Sequence, residues 1–542
     1  MDTLLGPQNR LPDTQHPTAS QSSFLRLQSS RWALSTRSLL QVVLFAGIFV
    51  LNFFEPTDPD LWWHLTTGRY ILATRSIPTV DIFSYTAAGQ PWVAHEWLAE
   101  IVMYLLYNTW GYVADVVIFA ALITLAYWMV FRTLRLLDAG VIASTLITVW
   151  MAVMSIASWN VRPQIFSYPF FAIYLYLLLR FRRAPSRAIW LMPAIMLVWV
   201  NVHAGYIMGL LLLGLFIVGE AVNRVTGRWG DGVTGRGGEE ERTQNSEPRT
   251  QNPPLRSYLL VTAATLAATV VNPQGPRILL YPLQYSGTQN ASMKFVTEWQ
   301  SPNFHNYYFF IFGAAILLLM VIRGRAPQNW ALTLPVLVLT AMTLQSVRVI
   351  AFFAIAAGPF IASRLTGVRR RGVSELRTQN SEPYSQHSAL RTQRYSKLNW
   401  LLLPVCLMAM ASTLFLSDKA QLGREPLLTD YPAAGIQYIK QAGLDGNLFN
   451  SYQWGGFVIW SFYPSRRVFV DGRIDMYGDR LIKDYRNVYN IKPDWKDVLA
   501  KYNVQVMLID KNSALATLLT ASGEWKKVFQ GPVESVFVRS TR

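Results

Sequence analysis

Charge is scarce in this sequence. Only 15% of its 542 residues are Asp, Glu, Lys or Arg, against about 25% in an ordinary soluble protein, which argues against a string of soluble domains. Cysteine is almost missing. Cys406 is the one in the chain, so neither a disulfide framework nor a thiolate metal cluster is available. Acidic side chains are the rarer sign, 32 against 49 basic ones, for a net charge of +17. The excess falls in short clusters between apolar blocks, as in Arg180, Arg182, Arg183 and Arg187, or Arg369, Arg370 and Arg371. Basic residues placed this way report membrane topology, not nucleic-acid binding.

What is abundant is long apolar sequence, 51% hydrophobic overall. Periodicity and breakers predict an α-helical polytopic membrane protein with about eleven spans. The predicted spans are 38–54, 113–131, 141–158, 165–179, 188–202, 205–222, 258–271, 307–322, 330–344, 349–362 and 398–416. With the N-terminus cytoplasmic, the outer loops hold few basic residues, namely Arg69, Arg75, Arg162, Arg277, Lys294 and Arg348, while the cytoplasmic side holds the rest of the clusters. This follows the positive-inside pattern and places residues after 416 outside the membrane. Residues 1–36 read as a disordered cytoplasmic tail followed by an uncleaved anchor, and 37–416 as the membrane domain. Residues 223–256 and 365–397 read as disordered cytoplasmic loops, each carrying one copy of the heptapeptide RTQNSEP. From 417 to 542 the pattern changes to α/β, with strands predicted at 447–449, 467–470, 504–509 and 535–538 and amphipathic helices at 433–441 and 478–488. This is the expected extracytoplasmic domain.

The first outer loop, 55–112, concentrates the candidate chemistry. Asp58 and Asp60 stand directly beyond the first span, where they suit a general base or hard-oxygen ligands for a divalent cation. Taken alone, both also read as turn and cap residues beside proline. Later in the same loop come Asp81, His95, Glu96 and Glu100. Four of the six histidines, His64, His95, His203 and His305, fall in predicted outer loops, an arrangement that fits a ligand or acid/base cluster. Arg162 and Arg348 sit in tight outer turns against the topology rule. An arginine there suits a phosphate, or else snorkels to lipid headgroups. Trp62, Trp63, Trp92, Trp97 and Trp299 read first as interfacial belt residues, with sugar stacking as the alternative.

The loop sequences DPDLWWHLTTGRYIL and IPTVDIFSYTAAGQPWVAHEWLAE, with VRPQIFSYP at 161–169, WVNVHAGY at 199–206 and VNPQG at 271–275, resemble a bacterial family of membrane proteins related to the glycosyltransferase C (GT-C) superfamily. That superfamily includes protein O-mannosyltransferases, the aminoarabinose transferase of lipid A and the oligosaccharyltransferase catalytic subunit. The resemblance implies a GT-C-like membrane domain and an acidic residue or pair early in the first outer loop acting as base or metal ligand. That role carries over to Asp58 and Asp60, with Glu96 as a second carboxylate. It implies a divalent cation as optional cofactor, with Asp58, Asp60 and Glu96 as its ligands. The segment SYQWGGFVIWSFYPSRRVFVDGR at 451–473 is similar in layout to the tryptophan-rich signature of oligosaccharyltransferases. It lacks that signature's aspartate, a departure that bears on peptide acceptors.

The function expected from this resemblance is transfer of a sugar from a polyprenyl-phosphate donor to an extracytoplasmic glycan, lipid or protein acceptor. Asp58, Asp60 and Glu96 would be the catalytic carboxylates, Arg162 and Arg348 would meet the donor phosphate, and His64, His95 and His203 are further site candidates. Competing readings are a transporter or flippase, a polymerase or ligase for lipid-linked saccharides, and a non-catalytic assembly protein. The first of these would place ionisable groups at mid-membrane, whereas Asp115 and Glu220 lie near span ends.

Overall fold

The computed structural model describes residues 34–54, 58–226, 253–281, 296–305, 307–322, 329–376, 387–416 and 430–540. The N-terminal tail up to residue 33, most of the loop 223–256 and both RTQNSEP copies lie outside the described residues. Before residue 430 the α-helices are α1 (Thr36–Leu51), α2 (Leu61–Thr74), α3 (Trp97–Trp110), α4 (Tyr112–Leu136), α5 (Val141–Ser155), α6 (Ser167–Arg183), α7 (Leu191–Val202), α8 (Tyr206–Val225), α9 (Leu255–Thr269), α10 (Tyr307–Ile322), α11 (Trp330–Gln345), α12 (Ile350–Leu376) and α13 (His387–Leu416).

Each predicted span coincides with one of these helices. Five helical segments, Tyr112–Leu136, Val141–Ser158, Pro163–Arg183, Tyr206–Val225 and Val347–Thr366, are long and apolar enough to cross a membrane, which makes this a multi-pass membrane protein. Thr36–Leu51, Arg187–Val202, Trp330–Gln345 and Leu398–Leu414 are shorter apolar helices. Two features depart from the sequence reading. The segment expected as the first outer loop contains α2 and α3 among its described residues, both helical because Leu, Trp, Tyr and Ile recur through them without an internal proline. The expected loop 365–397 is narrower, because α12 continues to Leu376 and α13 begins at His387. The Arg, Leu and Glu residues there are good helix formers.

The chain divides into two compact units. The smaller comprises residues 1–43 and 380–409. Within it, buried Asn399 donates from Nδ2 to the Leu34 carbonyl oxygen (2.9 Å) and to Thr36 Oγ1 (3.1 Å), joining the start of α1 to α13. The larger unit, 44–379 and 410–542, holds the helices α2–α12, the following α/β segment and every residue of the candidate site.

That α/β segment contains α14 (Ala433–Gln441), β1 (Asn447–Asn450), α15 (Gly455–Phe462), α16 (Ile474–Tyr489, kinked at Gly478), α17 (Trp495–Lys501), β2 (Val504–Asp510), α18 (Ala514–Ser522), β3 (Trp525–Gln530) and β4 (Glu534–Arg539). The sheet order is β1-β2-β4-β3. β1 runs parallel to β2, and β4 is antiparallel to both β2 and β3. Residues 467–470, expected as a sheet strand, do not join this sheet. Val468 instead bridges Ser84 of the first outer loop in parallel. The Tyr85 N–H donates to the Val468 carbonyl (3.1 Å) and the Val468 N–H to the Phe83 carbonyl (3.0 Å). Val468, Phe469 and Val470 are fully buried by this arrangement. The run is apolar because the loop and the C-terminal segment share one core. α15 packs on α2, where Trp62 meets Phe457 edge-on with ring centroids 5.2 Å apart.

Candidate functional site

Two groups of buried ionisable side chains stand at the ends of the loop helices. The first is built on the loop 58–60. The Asp60 N–H donates to Asp58 Oδ1 (2.9 Å), an Asx turn that leads into α2. Asn160 Nδ2 donates to Asp58 Oδ2 (3.1 Å). Arg162, from the turn between α5 and α6, lies among three carboxylates. Its Nε is 3.4 Å from Asp58 Oδ2, its Nη2 is bonded to Asp60 Oδ2, and its Nη1 is 3.0 Å from Glu298 Oε1. Burial pushes Asp58 up to about 7 and raises Asp60, in both cases against the pull of Arg162. Glu298 is lowered despite burial, because Arg162 and Arg348 both face it.

The second group is centred on Glu96. His64 Nδ1 is 3.1 Å from Glu100 Oε1 and 3.6 Å from Glu96 Oε2. The Nε2 atoms of His95 and His203 are each 3.5 Å from Glu96 Oε1. Helix packing creates the group. Gly68 approaches α3 so closely that a β-carbon there would lie 2.1 Å from the Glu100 carbonyl oxygen. His64 is one turn before Gly68 on α2, as Glu96 is one turn before Glu100, so the bare glycine brings imidazole and carboxylates together.

Hydrogen bonding fixes two of the imidazole tautomers. His203 Nδ1 accepts the Gly205 N–H (2.8 Å) and lies 2.8 Å from Ser167 Oγ, which itself accepts from Trp199 Nε1 (2.9 Å). His203 is therefore protonated at Nε2, the nitrogen that faces Glu96. His95 Nδ1 lies 3.1 Å from the Val93 carbonyl oxygen and must donate to it. Its Nε2 then meets Glu96 across a shared proton. Burial lowers His64 and His203 to about 3, so both are neutral at ordinary pH. Glu96 is held below the usual carboxylate range: burial opposes this, and His95, followed by His64 and His203, outweighs it. Glu100 is raised well above that range by burial and by Glu96.

A third group ties the loop to the C-terminal segment. Arg473 donates from Nε to Asp471 Oδ1 (2.8 Å), and from Nη2 to Asp471 Oδ2 (2.7 Å) and Asp81 Oδ1 (2.9 Å). Its guanidinium lies over Trp92 (4.6 Å) and Phe83 (4.9 Å). Tyr477 donates to Asp471 Oδ2 (2.5 Å) and Ser84 to Asp81 Oδ2 (2.5 Å). Gly472 between these residues touches Asp60, and a β-carbon there would lie 1.7 Å from Asp60 Oδ1.

The structure thus brings Asp58, Asp60 and Arg162 together, and separately gathers Glu96 with His64, His95 and His203. Arg162 is engaged by carboxylates. Arg348 stacks over Trp299 at 5.0 Å, and among the described residues it forms no ion pair within 4.0 Å. His305 is exposed and stands apart from the cluster. Trp62, Trp63 and Trp92 are core residues, 0%, 7% and 5% exposed, not belt residues. Trp97 donates to Asn201 Oδ1 (3.0 Å), anchoring α3 beside the end of α7.

Of the expected metal set Asp58, Asp60 and Glu96, the two aspartates each turn one oxygen, Oδ2, to the Arg162 guanidinium, and Glu96 belongs to the histidine group. Among the described residues, the donor atoms that lie within 4.8 Å of one another belong to His64, Glu96 and Glu100. Sequence reasoning passed over Glu298, Asp471, Gly472 and Arg473. The available signals were an acid beside Trp299 in an otherwise polar loop, and Asp-Gly-Arg closing the apolar run 468–470. A narrow pocket lined by Asn52, Tyr112, Val116, Phe119, Trp159 and Asn160 adjoins Asp58 through Asn160.

No protein-family model matches the sequence, and no curated protein sequence does. Solved structures do match in fold. The archaeal oligosaccharyltransferase AglB from Archaeoglobus fulgidus, in complex with an inhibitory peptide and a dolichol-phosphate, aligns with a TM-score of 0.57 at 10% identity, over 87% of this chain and 69% of that one. ArnT from Cupriavidus metallidurans bound to undecaprenyl phosphate aligns over 97% and 99% of the two chains at 13% identity, with a TM-score of 0.47. The mycobacterial arabinofuranosyltransferase AftD aligns over 94% of this chain and 42% of its own at 12% identity, with a TM-score of 0.49. At these identities the likeness is one of fold, shared with the archaeal oligosaccharyltransferase AglB.

Proposed function

We propose that this protein is a membrane glycosyltransferase that moves a sugar from a polyprenyl-phosphate carrier to a hydroxyl acceptor on the extracytoplasmic side. The observation that carries the reading is the buried pair Asp58 and Asp60, held by one guanidinium, with burial bringing Asp58 to about 7 and raising Asp60, the acid assigned the base role below. A carboxylate poised there is matched to proton abstraction near neutral pH.

In the reaction, the acceptor oxygen attacks the anomeric carbon and Asp60 takes its proton. The bond between that carbon and the phosphate oxygen breaks, the polyprenyl phosphate leaves, and the anomeric configuration inverts. Asp58, fixed by Asn160 and the Asp60 N–H, orients Asp60. Arg162 keeps both acids in place. Because Arg162 is committed to carboxylates, the charge growing on the leaving phosphate falls to Arg348, an electrostatic role commonly worth about 3 to 4 kcal/mol. The Glu96 group joins α2 to α3 through His64 and Glu100. No metal is required by the steps at Asp58 and Asp60.

The test is to incubate purified full-length protein with polyprenyl-phosphate sugars of different sugar identity and follow release of the carrier. Turnover that is lost in well-folded Asp60→Asn and Asp58→Asn variants supports the reading. Undiminished transfer in both variants refutes the assignment.

A further inference from the structure

The Glu96 group holds two buried carboxyl groups, and the proton shared between His95 Nε2 and Glu96 serves Glu96 and not Glu100. Glu96 and Glu100 are 8% and 1% exposed, and His64 is 1% exposed. Arg162 is committed to Asp58, Asp60 and Glu298, and Arg473 to Asp81 and Asp471. His203 cannot supply a positive charge without breaking its bonds, since its Nδ1 accepts the Gly205 N–H. Buried carboxylates need neutralising partners, and for Glu100 the partner set is incomplete. Glu100 Oε2 is fully enclosed and has no hydrogen-bond partner.

The donor geometry is informative. A tetrahedral ion with ligand bonds of about 2.0 to 2.1 Å separates its ligand atoms by roughly 3.3 to 3.4 Å. His64 Nδ1 lies 3.1 Å from Glu100 Oε1 and 3.6 Å from Glu96 Oε2, which brackets that spacing. One imidazole with two carboxylates selects a first-row transition ion over magnesium or calcium, which prefer all-oxygen sets. The surroundings also supply second-shell order, with the Nε2 atoms of His95 and His203 facing Glu96 Oε1, the oxygen not turned to His64.

We propose that His64, Glu96 and Glu100 form a binding site for a divalent transition ion of the zinc class, distinct from the Asp58–Asp60–Arg162 centre, which fastens α2 to α3. Two negative charges and one neutral imidazole then carry a balancing double positive charge, and the enclosed Glu100 oxygen gains a use. The site rests on the chain's own donors and takes no part in the transfer steps proposed above, so it stands or falls separately from them.

The experiment uses the full chain, purified in detergent without a polyhistidine tag. Metal content is measured by mass spectrometry, and thermal unfolding is followed after chelation and after adding back Zn2+, Co2+ or Mg2+. The site predicts about one transition ion per chain, loss of thermal stability on chelation, recovery with Zn2+ or Co2+ but not Mg2+, and the visible spectrum of tetrahedral Co2+. Glu100→Gln lowers ion affinity at least 10-fold, while Asp60→Asn keeps the ion although it is inactive. Wild-type protein that binds neither Zn2+ nor Co2+ and melts identically with chelator overturns the proposal. So does loss of the ion in Asp60→Asn with retention in Glu100→Gln. Should Glu100→Gln fail to fold, the chelation and add-back series on wild type decides alone.

Discussion

Gly472→Ala should disable the Asp60 centre without dismantling the fold. The new β-carbon would lie 1.7 Å from Asp60 Oδ1 and 2.6 Å from Asp60 Cγ. Restoring an ordinary contact of 3.4 Å displaces the carboxylate by about 1.7 Å and pulls it from Arg162. A misplacement of about 1 Å at a reacting group can cost roughly 100-fold in rate, or about 2.7 kcal/mol of barrier, while overpacking costs about 1 to 3 kcal/mol of stability. The assay is carrier release together with thermal unfolding, in wild type, Gly472→Ala, Asp60→Ala and the double variant. Asp60→Ala vacates the space that the new methyl needs, so in that background Gly472→Ala should add little loss of either rate or stability. Gly214→Ala, where a β-carbon meets nothing within 4 Å, serves as the neutral control. Equal destabilisation by Gly472→Ala with and without the Asp60 carboxylate would refute this reasoning.

Arg473→Met leaves Asp81 and Asp471 buried without their cation, and should cost about 3 to 5 kcal/mol, seen as a lower unfolding temperature. Adding Asp81→Asn and Asp471→Asn should recover most of it. Arg348→Gln should lower kcat/KM for the lipid-phosphate donor roughly 100-fold or more while leaving the unfolding temperature nearly unchanged, since its recorded contact is the face of Trp299. The pH profile should show its acid limb above the ordinary carboxylate range: burial raises Asp60 against the pull of Arg162, and the base works only when ionised, so rate climbs as pH rises through its raised pKa. Glu298 adds to the rise in both aspartates, so Glu298→Gln should move the limb to lower pH, and a limb that stays in place would count against the electrostatic picture.

The helical framework was legible because apolar runs of fixed period have few alternatives in a membrane, and every expected span is found in a helix. The site was legible in part. Asp58, Asp60 and Arg162 stood out by position and do meet, yet Arg162 meets the acids and not a free phosphate position. A sequence shows that a cation is in the wrong loop, but not which anion reaches it first. Glu96 and the three histidines were visible as an accumulation, whereas their pairing with Glu100 depends on how closely Gly68 lets α2 approach α3. The long-range joins were hidden. Residues 467–470 carry strand-like periodicity, but their partner is Ser84, more than 380 positions earlier. The strand Trp525–Gln530 was missed because its exposed lysines obscure the alternation. The wedge of Gly472 against Asp60 arises only from that long-range contact.

The most direct measurement of the central claim follows the anomeric configuration of the sugar. A polyprenyl-phosphate sugar labelled with 13C at the anomeric carbon is incubated with the purified full chain and its acceptor, and product and carrier are read by NMR. The account predicts one carrier phosphate released per sugar transferred, with inversion at the labelled carbon in wild type, and no product from folded Asp60→Asn. Retention of configuration, or transfer by Asp60→Asn at the wild-type rate, would contradict it.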